Sequence, residues 1–411
     1  MRVIVIGAGA SGLMAALEAA KGGHEVWVLE KNEKAGKKIY ITGKGRCNVT
    51  NNCDVNNFIK NVITNPKFLF SALNKFKPSD TMNFFESNNT PLVVERGNRV
   101  YPQSYKASDI TKCLVEECQK YKVRILYKNE VKDIQKKDGK FLISIMYNQA
   151  SYNQMICDKL VVATGGISYP STGSTGQGHT YLQKLGHNII PLLPALIRIE
   201  CRDAFLKSLD GQNLKNVELT AITPSKKYSF FGELDFYNKG IEGPISLKLS
   251  SYLNKCNEKI DLFIDLKTAL NEEQLDARLL KEFEKDKNAN LKKILKELLP
   301  HKLVDPFISV SHLDGEKVVN SITTQERKVI ISFLKKFPLR FGKLDSIERA
   351  VVTCGGVDVK EINPRTMESK LVEGLYIVGE LIDVDALTGG FNLQIAFSTG
   401  YCAGSAIAEL N

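Results

Sequence analysis

VIVIGAGASG, running from Val3 to Gly12, is the stretch that decides the fold of this chain. The short β-branched run before Gly7 is typical of a parallel strand that is buried on both faces. In the pattern G-x-G-x-x-G, the first glycine permits a tight turn, Gly9 lets a pyrophosphate approach the backbone, and Gly12 lets a helix pack closely on the strand. That helix directs its free N–H groups and its dipole at the phosphates. We therefore predict a dinucleotide-binding strand, turn and helix.

The residues after this helix predict a second strand that ends in an acid. EVWVL, residues 25–29, is the strand, and Glu30 follows Gly12 at roughly the 20-residue spacing at which an acid accepts hydrogen bonds from an adenosine ribose. A carboxylate there would repel a 2′-phosphate, so the dinucleotide is predicted to be FAD or NAD and not NADP. The alternative is a structural turn that binds no ligand, and the second strand with its terminal acid argues against it.

Composition places the chain among ordinary globular proteins. With 411 residues, of which 43% are hydrophobic, it is long enough for two or three domains. We find neither an apolar run of about 18 residues nor a basic and then apolar leader, so we expect a cytoplasmic protein without a membrane segment. The nine cysteines include no C-x-x-C pair and the five histidines show no ligand spacing. Reduced thiols, no disulfides and no metal are therefore predicted.

The chain carries a net charge of +10. Such a charge is expected of a protein with a polyanionic partner such as RNA. A lysine-rich surface that faces only solvent would give the same composition. Both interpretations stay open at this point.

The predicted fold is α/β, with a Rossmann-like FAD-binding domain of the two-dinucleotide-binding type. Near residues 191–194 the alternation of strands and helices stops, and short strands with turns follow. Helical patterns then dominate until Pro338. We predict an FAD-binding domain over residues 1–192 and 354–411, an inserted small β-barrel over 193–264 and 337–353, and a helical subdomain over 265–336.

The C-terminal sixty residues carry a second cofactor signal. A strand ends in the Gly379-Glu380 pair, Asp383 follows, and TGGFNLQ at 388–394 precedes a helix predicted over 395–409. This arrangement would set a carboxylate against a ribityl chain and a helix N-terminus at the flavin, where negative charge gathers on reduction. NAD has no ribityl chain, so FAD is favoured. The alternative is a strand and helix that only complete the sheet.

Three motifs resemble the BaiN/RdsA-type (YhiN-like) flavoproteins over nearly the whole chain. They are GKKxxxTGxGRCN at 36–48, VVATGG at 161–166, and GExxD with TGGFNLQ at 379–394. This chain has Phe391 where the family commonly has tyrosine. It also reads YNKGIEGP at 237–244, where members often carry a threonine–histidine pair.

The resemblance implies FAD and a two-electron reaction, namely hydride transfer between flavin N5 and an activated C=C or C=N bond. Members are associated with reduction of a ribosomal RNA uridine to dihydrouridine, reduction of conjugated double bonds in oxo-bile acids, and oxidation of aminoacetone. The expected partner is thus ribosomal RNA or a small molecule, and NAD(P)H is a possible transient electron donor. A flavin-binding redox sensor without turnover is a further alternative.

The loop at 42–48 supplies the two candidate catalytic residues. Cys47 is a candidate general acid, because a thiol titrates near neutral pH, or else a small buried residue that packs the loop. Arg46 could bind a carbonyl or phosphate, or brace the loop. The residues predicted to contact the cofactor are Gly7, Gly9, Ala10, Ser11, Gly12, Glu30, Lys31, Lys37, Lys38, Thr42, Gly43, Arg46, Cys47, Asn48, Val131, Ala163, Thr164, Gly165, Gly379, Glu380, Asp383, Gly389, Gly390, Asn392, Leu393 and Gln394.

Overall fold

The computed structural model describes residues 1–148 and 150–410. The chain divides into two compact units. Unit 1 comprises Met1–Ala195 and Ile347–Asn411, and unit 2 comprises Leu196–Ser346. The predicted three-part division, with boundaries at 192/193 and 353/354, stays a prediction. In the structure, the chain passes from one unit to the other at 195/196 and at 346/347.

The first segment of unit 1 contains the predicted strand, helix and strand within one or two residues of the expected bounds. Its strands and helices, in chain order, are β1 (Arg2–Ile6), α1 (Ala10–Lys21), β2 (Glu25–Glu30), α2 (Lys37–Ile41), β3 (Thr50–Asn51), α3 (Val55–Ile59), β4 (Val62–Thr64), α4 (Phe70–Lys75), α5 (Pro78–Ser87), β5 (Leu92–Glu95), β6 (Arg99–Pro102), α6 (Ala107–Lys120), β7 (Arg124–Tyr127), β8 (Asn129–Lys137), β9 (Lys140–Tyr147), β10 (Ser151–Cys157), β11 (Lys159–Val162), α7 (Gln177–Lys184) and β12 (Ile189–Ala195).

Unit 2 follows, and the chain then returns to unit 1. The elements of unit 2 are β13 (Ile199–Cys201), β14 (Asn213–Ile222), β15 (Lys227–Tyr237), β16 (Gly240–Glu242), α8 (Pro244–Leu253), β17 (Asp261–Asp265), α9 (Glu272–Lys285), α10 (Leu291–Leu298), α11 (His301–Ser311), α12 (Thr324–Lys335), β18 (Phe337–Leu339) and β19 (Phe341–Leu344). The second segment of unit 1 has β20 (Val352–Val357), β21 (Leu375–Ile377), β22 (Asp385–Ala386) and α13 (Phe391–Ala408).

A five-stranded parallel sheet in the order β21-β11-β1-β2-β7 forms the centre of unit 1. Val3, Ile4 and Val5 of the middle strand have no exposed surface, as expected of a strand covered on both faces. Because the strands are parallel, their carboxyl ends meet at one edge of the sheet. Ligands of open α/β sheets bind at that edge, and the segments after β1, β2, β11 and β21 all reach it.

Helices α1 and α13 pack against each other through small residues. A Cβ placed on Gly400 would lie 2.3 Å from the carbonyl oxygen of Ser11, and one on Gly404 would lie 2.4 Å from that of Ala15. The two helix backbones can approach this closely only where side chains are absent. The C-terminal helix is thereby held against the first helix of the dinucleotide motif.

Unit 2 has a seven-stranded antiparallel sheet in the order β18-β17-β14-β15-β16-β13-β19. Its helices and strands share one hydrophobic core, to which β14 contributes Leu219, α8 Leu249, α9 Leu279 and α12 Leu334. The helices therefore bury their apolar faces within this unit instead of forming a core of their own.

Three local features differ from what the sequence pattern alone indicates. Residues 33–52 are polar and glycine-rich, as is typical of a loop, but they contain α2, a 3-10 turn over Thr42–Gly45 and β3, which pairs with β6. Residues 66–88 have a continuous helical pattern, but the helix is interrupted between α4 and α5, because Pro78 begins a new helix at its first position. Ser108 is a plausible N-cap by residue type, but the N-cap of α6 is Lys106, and the Ser108 hydroxyl donates to Asp109 instead.

Three further observations concern membrane-spanning helices, metal binding and the cysteines. Among residues 1–148 and 150–410, we find no helix with both the length and the apolar character needed to cross a membrane. In the same part of the chain, no three His, Cys, Asp or Glu side chains are grouped so that they could hold a metal ion. All nine cysteines lie within the described residues and are free.

The contact between α1 and α13 gives a stability prediction. Gly400→Ala should lower the free energy of unfolding by about 1–3 kcal/mol, because the new Cβ meets a backbone carbonyl that cannot move aside. The gain of about 1 kcal/mol in helix propensity opposes this loss without cancelling it. Denaturant unfolding measures the change. Ser405→Ala, half-buried on the same helix, is the control, and equal stability of the Gly400 variant and the wild type would contradict the close contact.

Candidate functional site

The glycine turn after β1 leaves room for a phosphate group at one position only. A Cβ on Gly7 would lie 2.6 Å from the carbonyl oxygen of Ala163, and one on Gly12 would lie 2.0 Å from that of Gly7. A Cβ on Gly9 would have no neighbouring atom within 4 Å. Two of the glycines are therefore required by packing, whereas Gly9 borders open space, as a pyrophosphate site requires.

Two helices begin at this edge of the sheet without a side-chain cap. The N-cap of α1 is Gly9 and that of α13 is Gly390, and neither helix has an acidic residue in its first turn. The free N–H groups and the positive end of each helix dipole are therefore available to anionic groups. The donors fit FAD, whose pyrophosphate is anionic and whose flavin gathers negative charge on reduction.

Glu30 is buried and held in one orientation by backbone and side-chain N–H groups. Its Oε2 accepts from the Ala8 amide at 2.9 Å, and its Oε1 accepts from the Asn32 amide at 2.8 Å and from Asn32 Nδ2 at 2.7 Å. A carboxylate offers about four acceptor positions. The carboxylate of Glu30 can therefore accept a further hydrogen bond from a hydroxyl group, as its predicted role toward a ribose requires.

Lys38 and Glu380 contact each other, although the sequence predicted separate ligand contacts for them. Lys38 Nζ lies 2.5 Å from Glu380 Oε2 and 2.6 Å from Ser168 Oγ. Glu380 Oε1 accepts from Ser168 Oγ at 3.0 Å and from the Thr353 amide at 2.8 Å. Lys37 instead pairs with Glu33 at 3.4 Å. Glu380 is thus neutralised and held by its protein neighbours.

Cys47 lies in the middle of the loop, with no exposed surface. Burial raises the pKa of its thiol to about 12, so the side chain keeps its proton at neutral pH. Its backbone has a φ of 58°, and its amide donates to the Thr42 carbonyl at 3.0 Å. These contacts support the packing role, and the general-acid role stays a prediction.

Arg46 makes two contacts within the protein. Its Nη1 lies 3.2 Å from Glu95 Oε1, and its guanidinium carbon lies 4.4 Å from the centre of the Tyr101 ring. A guanidinium stacked on an aromatic ring is held in one plane. The side chain braces the loop, and 43% of it remains exposed.

Asparagine side chains join the 42–51 segment to the turn before α13. With its amide oriented to satisfy its neighbours, Asn48 accepts from the Gly390 amide at 3.0 Å and donates to the Thr50 carbonyl at 3.0 Å. Asn51 Nδ2 donates to the Gly389 carbonyl at 3.0 Å. The glycine turn at the start of α13 is therefore fixed against β3.

The polar residues of TGGFNLQ also bond to the protein itself. Gln394 Oε1 accepts from Thr50 Oγ1 at 2.6 Å, and Asn392 Nδ2 donates to the Ala386 carbonyl at 2.7 Å. Asp383 Oδ2, two residues before β22, accepts from Asn65 Nδ2 at 2.9 Å. The side chains of Gln394, Asn392 and Asp383 are thus held by protein partners, which sequence reasoning did not foresee, and their contact with the cofactor stays a prediction.

The structure gives the remaining predicted residues the following places, and it puts Leu393 within the C-terminal helix, which begins at Phe391 and not at 395 as predicted. Ala10 and Ser11 begin α1, and Leu393 lies in the first turn of α13. Lys31 Nζ contacts Thr175 Oγ1 at 2.9 Å, and the Val131 carbonyl accepts from the Tyr181 hydroxyl at 2.5 Å. Ala163, Thr164 and Gly165 directly follow β11, and Gly379 and Gly43 have left-handed φ angles of 72° and 56°.

Three residues near Glu380 were not predicted from the sequence: Ser168, Thr353 and His179. The VTCGGV strand that contains Thr353 carried a glycine-pair signal that could have drawn attention to it. His179 on α7 is 4% exposed. Burial lowers its pKa to about 4, and the charge of Glu380 and the Leu381 backbone oppose that shift only in part.

The model of the family described as HI0933-like protein Rossmann domain matches residues 1–406. The chain belongs to this family. It is 33% identical over 418 residues to a ribosomal RNA dihydrouridine synthase of Haemophilus influenzae, with 99% of this chain and 98% of the relative covered. It is 29% identical over 414 residues to the 3-dehydro-bile acid delta(4,6)-reductase of Clostridium scindens, with 99% of each chain covered.

A comparison with solved structures agrees on the fold. The 3-ketosteroid-delta4-(5alpha)-dehydrogenase from Rhodococcus jostii RHA1 superposes with a TM-score of 0.54 at 14% identity, over 99% of this chain and 96% of that structure. The predicted family, the α/β Rossmann-like fold and the FAD cofactor are thereby confirmed. The protein is an FAD-dependent oxidoreductase.

The open space at Gly9 separates cofactor binding from folding. Gly9→Ala should leave the thermal midpoint of the FAD-free protein unchanged, because its φ of −84° suits alanine and the new Cβ meets nothing. The same Cβ would occupy space beside the pyrophosphate, so we expect FAD affinity to fall about tenfold or more. Titration of the FAD-free protein with FAD measures the loss.

Gly12→Ala is the matched control, since its Cβ would collide with the Gly7 carbonyl. It should destabilise the FAD-free protein itself. Unchanged FAD affinity in Gly9→Ala would mean that the pyrophosphate does not pass this turn.

Burial of His179 makes stability depend on pH. The pKa falls from 6.5 to about 4 on folding, so the folded state binds fewer protons between these values. The neutral His179 side chain therefore contributes to the free energy of unfolding in full above pH 6.5. This contribution, roughly 3 kcal/mol in total, is lost as the pH falls toward 4. His179→Gln should flatten this part of the stability profile, whereas His301→Gln, at an exposed position, should not. Parallel profiles for wild type and His179→Gln would contradict the assignment.

Proposed function

We propose that this FAD enzyme reduces the C=C bond of a uridine in ribosomal RNA, in the cytoplasm. The observation that carries the proposal is full-length similarity to two proteins named ribosomal RNA dihydrouridine synthase, at 33% and 30% identity. The net charge of +10 favours a polyanionic substrate. Free thiols at all nine cysteines suit a reducing compartment.

The site residues have distinct roles in this proposal. When bound and reduced, FAD supplies the hydride that joins one carbon of the double bond, while a proton joins the other. The N-terminus of α13 stabilises negative charge at the cofactor, and Lys38 together with Ser168 and Thr353 fixes Glu380 beside it. Cys47 and Arg46 stay the candidate catalytic residues, with the Cys47 thiol protonated at neutral pH and Arg46 partly exposed.

A small conjugated ketone is the second candidate substrate. It is favoured by the similarity to a bile acid reductase at 29% identity over 99% of both chains. The chemistry is the same, because a hydride and a proton again saturate an activated double bond. The positive charge would then have no part in substrate binding.

Nucleoside analysis distinguishes the two substrates. Ribosomal RNA from a strain that lacks the gene should lose a dihydrouridine that the parent strain contains, and the purified FAD-loaded enzyme with NADH or NADPH should restore it. Mass spectrometry of digested RNA measures both effects. The control is the Gly9→Ala protein, which should restore less because it binds FAD poorly. Dihydrouridine that persists unaltered in the deletion strain, together with rapid turnover of an enone, would transfer the assignment to the second candidate.

A further inference from the structure

The β5–β6 hairpin and the residues after it form an exposed basic and aromatic surface, which we call the hairpin platform: Arg46, Arg96, Arg99, Tyr105 and Lys106. Arg96 and Arg99 flank the hairpin turn and are exposed, as is Lys106. Tyr105 is 41% exposed. The Arg46 guanidinium carbon lies 5.6 Å from the Tyr105 ring centre, so a charged plane and an aromatic ring face solvent side by side.

The positive charges of the platform are only partly neutralised. The Glu95 carboxylate forms an ion pair with Arg46, with 3.2 Å between Oε1 and Nη1. It also accepts a hydrogen bond from the Tyr105 hydroxyl, which raises the pKa of that tyrosine. The Arg99 side chain donates to the Arg96 carbonyl, and among the described residues no ion pair engages Arg96, Arg99 or Lys106. The platform therefore presents cations that a polyanion can reach.

A short hydrogen-bond path joins the platform to the flavin site. Asn51 Nδ2 donates to the Gly97 carbonyl at the hairpin turn at 3.1 Å and to the Gly389 carbonyl at 3.0 Å. Thr50 and Asn51 of β3 pair with Val100 and Arg99 of β6. The hairpin turn and the turn before α13 thus share one anchoring side chain.

We infer that the hairpin platform binds the single-stranded RNA that flanks the target uridine; this inference rests on the proposed function. An enzyme that reacts with a base must take that base out of its stack, so the neighbouring nucleotides need a surface beside the active site. Exposed tyrosine and arginine planes stack on bases of any sequence, and arginines and lysines contact the phosphates. The platform combines these groups on the element that is tied to the cofactor turn.

The test measures binding of a ribosomal RNA fragment that contains the target uridine. Tyr105→Ala should weaken binding about tenfold through loss of one stacked base. The affinity of the double variant R96E/R99E should depend less on salt. The negative slope of log affinity against log salt should become shallower by about 1.4, because two phosphate contacts on a single strand are lost. Both proteins should keep the absorbance spectrum of bound FAD, which checks that they fold.

The matched control is K137E/K360E, which makes the same charge change at two exposed lysines on other elements of unit 1. It should bind the fragment with nearly wild-type affinity. If R96E/R99E and K137E/K360E lose equal affinity for the fragment, the inference is wrong, since binding would then depend only on the total charge of the protein.

Three other outcomes would also overturn the inference, and they differ in which part of the proposed function they leave valid. If the wild type converts the fragment and both platform variants bind and convert it normally, the platform is wrong and the proposed function stands. If the wild type neither binds nor reduces any ribosomal RNA, the proposed function fails as well. Variants that bind naked RNA normally but no longer recognise assembled ribosomal subunits would assign the surface to a protein partner instead.

Discussion

The seating of α1 on the turn after β1 is the contact on which the site depends. With only 2.0 Å between a Cβ position at Gly12 and the Gly7 carbonyl, the helix begins directly above the strand end. Its N-terminus must therefore point along the carboxyl edge of the sheet, where strands β2, β11 and β21 also end. An anion-binding helix end and the acid Glu30 are brought together by this single constraint.

The second helix end depends on the first. Because α13 approaches α1 at Gly400 and Gly404, the position of α1 also determines where the N-terminus of α13 lies. The turn before α13 is then fixed from its other side by Asn48 and Asn51. The two uncapped helix ends are thus parts of one packed assembly, although nearly the full length of the sequence separates them.

The backbone of the site was predictable from sequence, whereas the partners of its charged side chains were not. The spacing of the glycines at 7, 9 and 12 predicts a tight turn between a strand and a helix. The short apolar run before Glu30 predicts the strand that ends there. Lys38 and Glu380 are each next to a recognisable motif, but their ion pair joins positions 342 residues apart. Only the closed fold shows that these two charges neutralise each other.

The 42–48 loop shows the same limit in another form. A lysine, an arginine and a cysteine between glycines suggest chemistry, yet exposure decides which of them can act, and exposure depends on tertiary packing. Cys47 lies inside the unit with a raised pKa, while half of the neighbouring Arg46 faces solvent on a tyrosine support. The backbone is left-handed at Lys44 and Cys47, and side-chain exposure changes from exposed at Lys44 to fully buried at Cys47 within three residues. The loop therefore packs against the core through the Cys47 thiol, while the cationic side chains of Lys44 and Arg46 reach solvent.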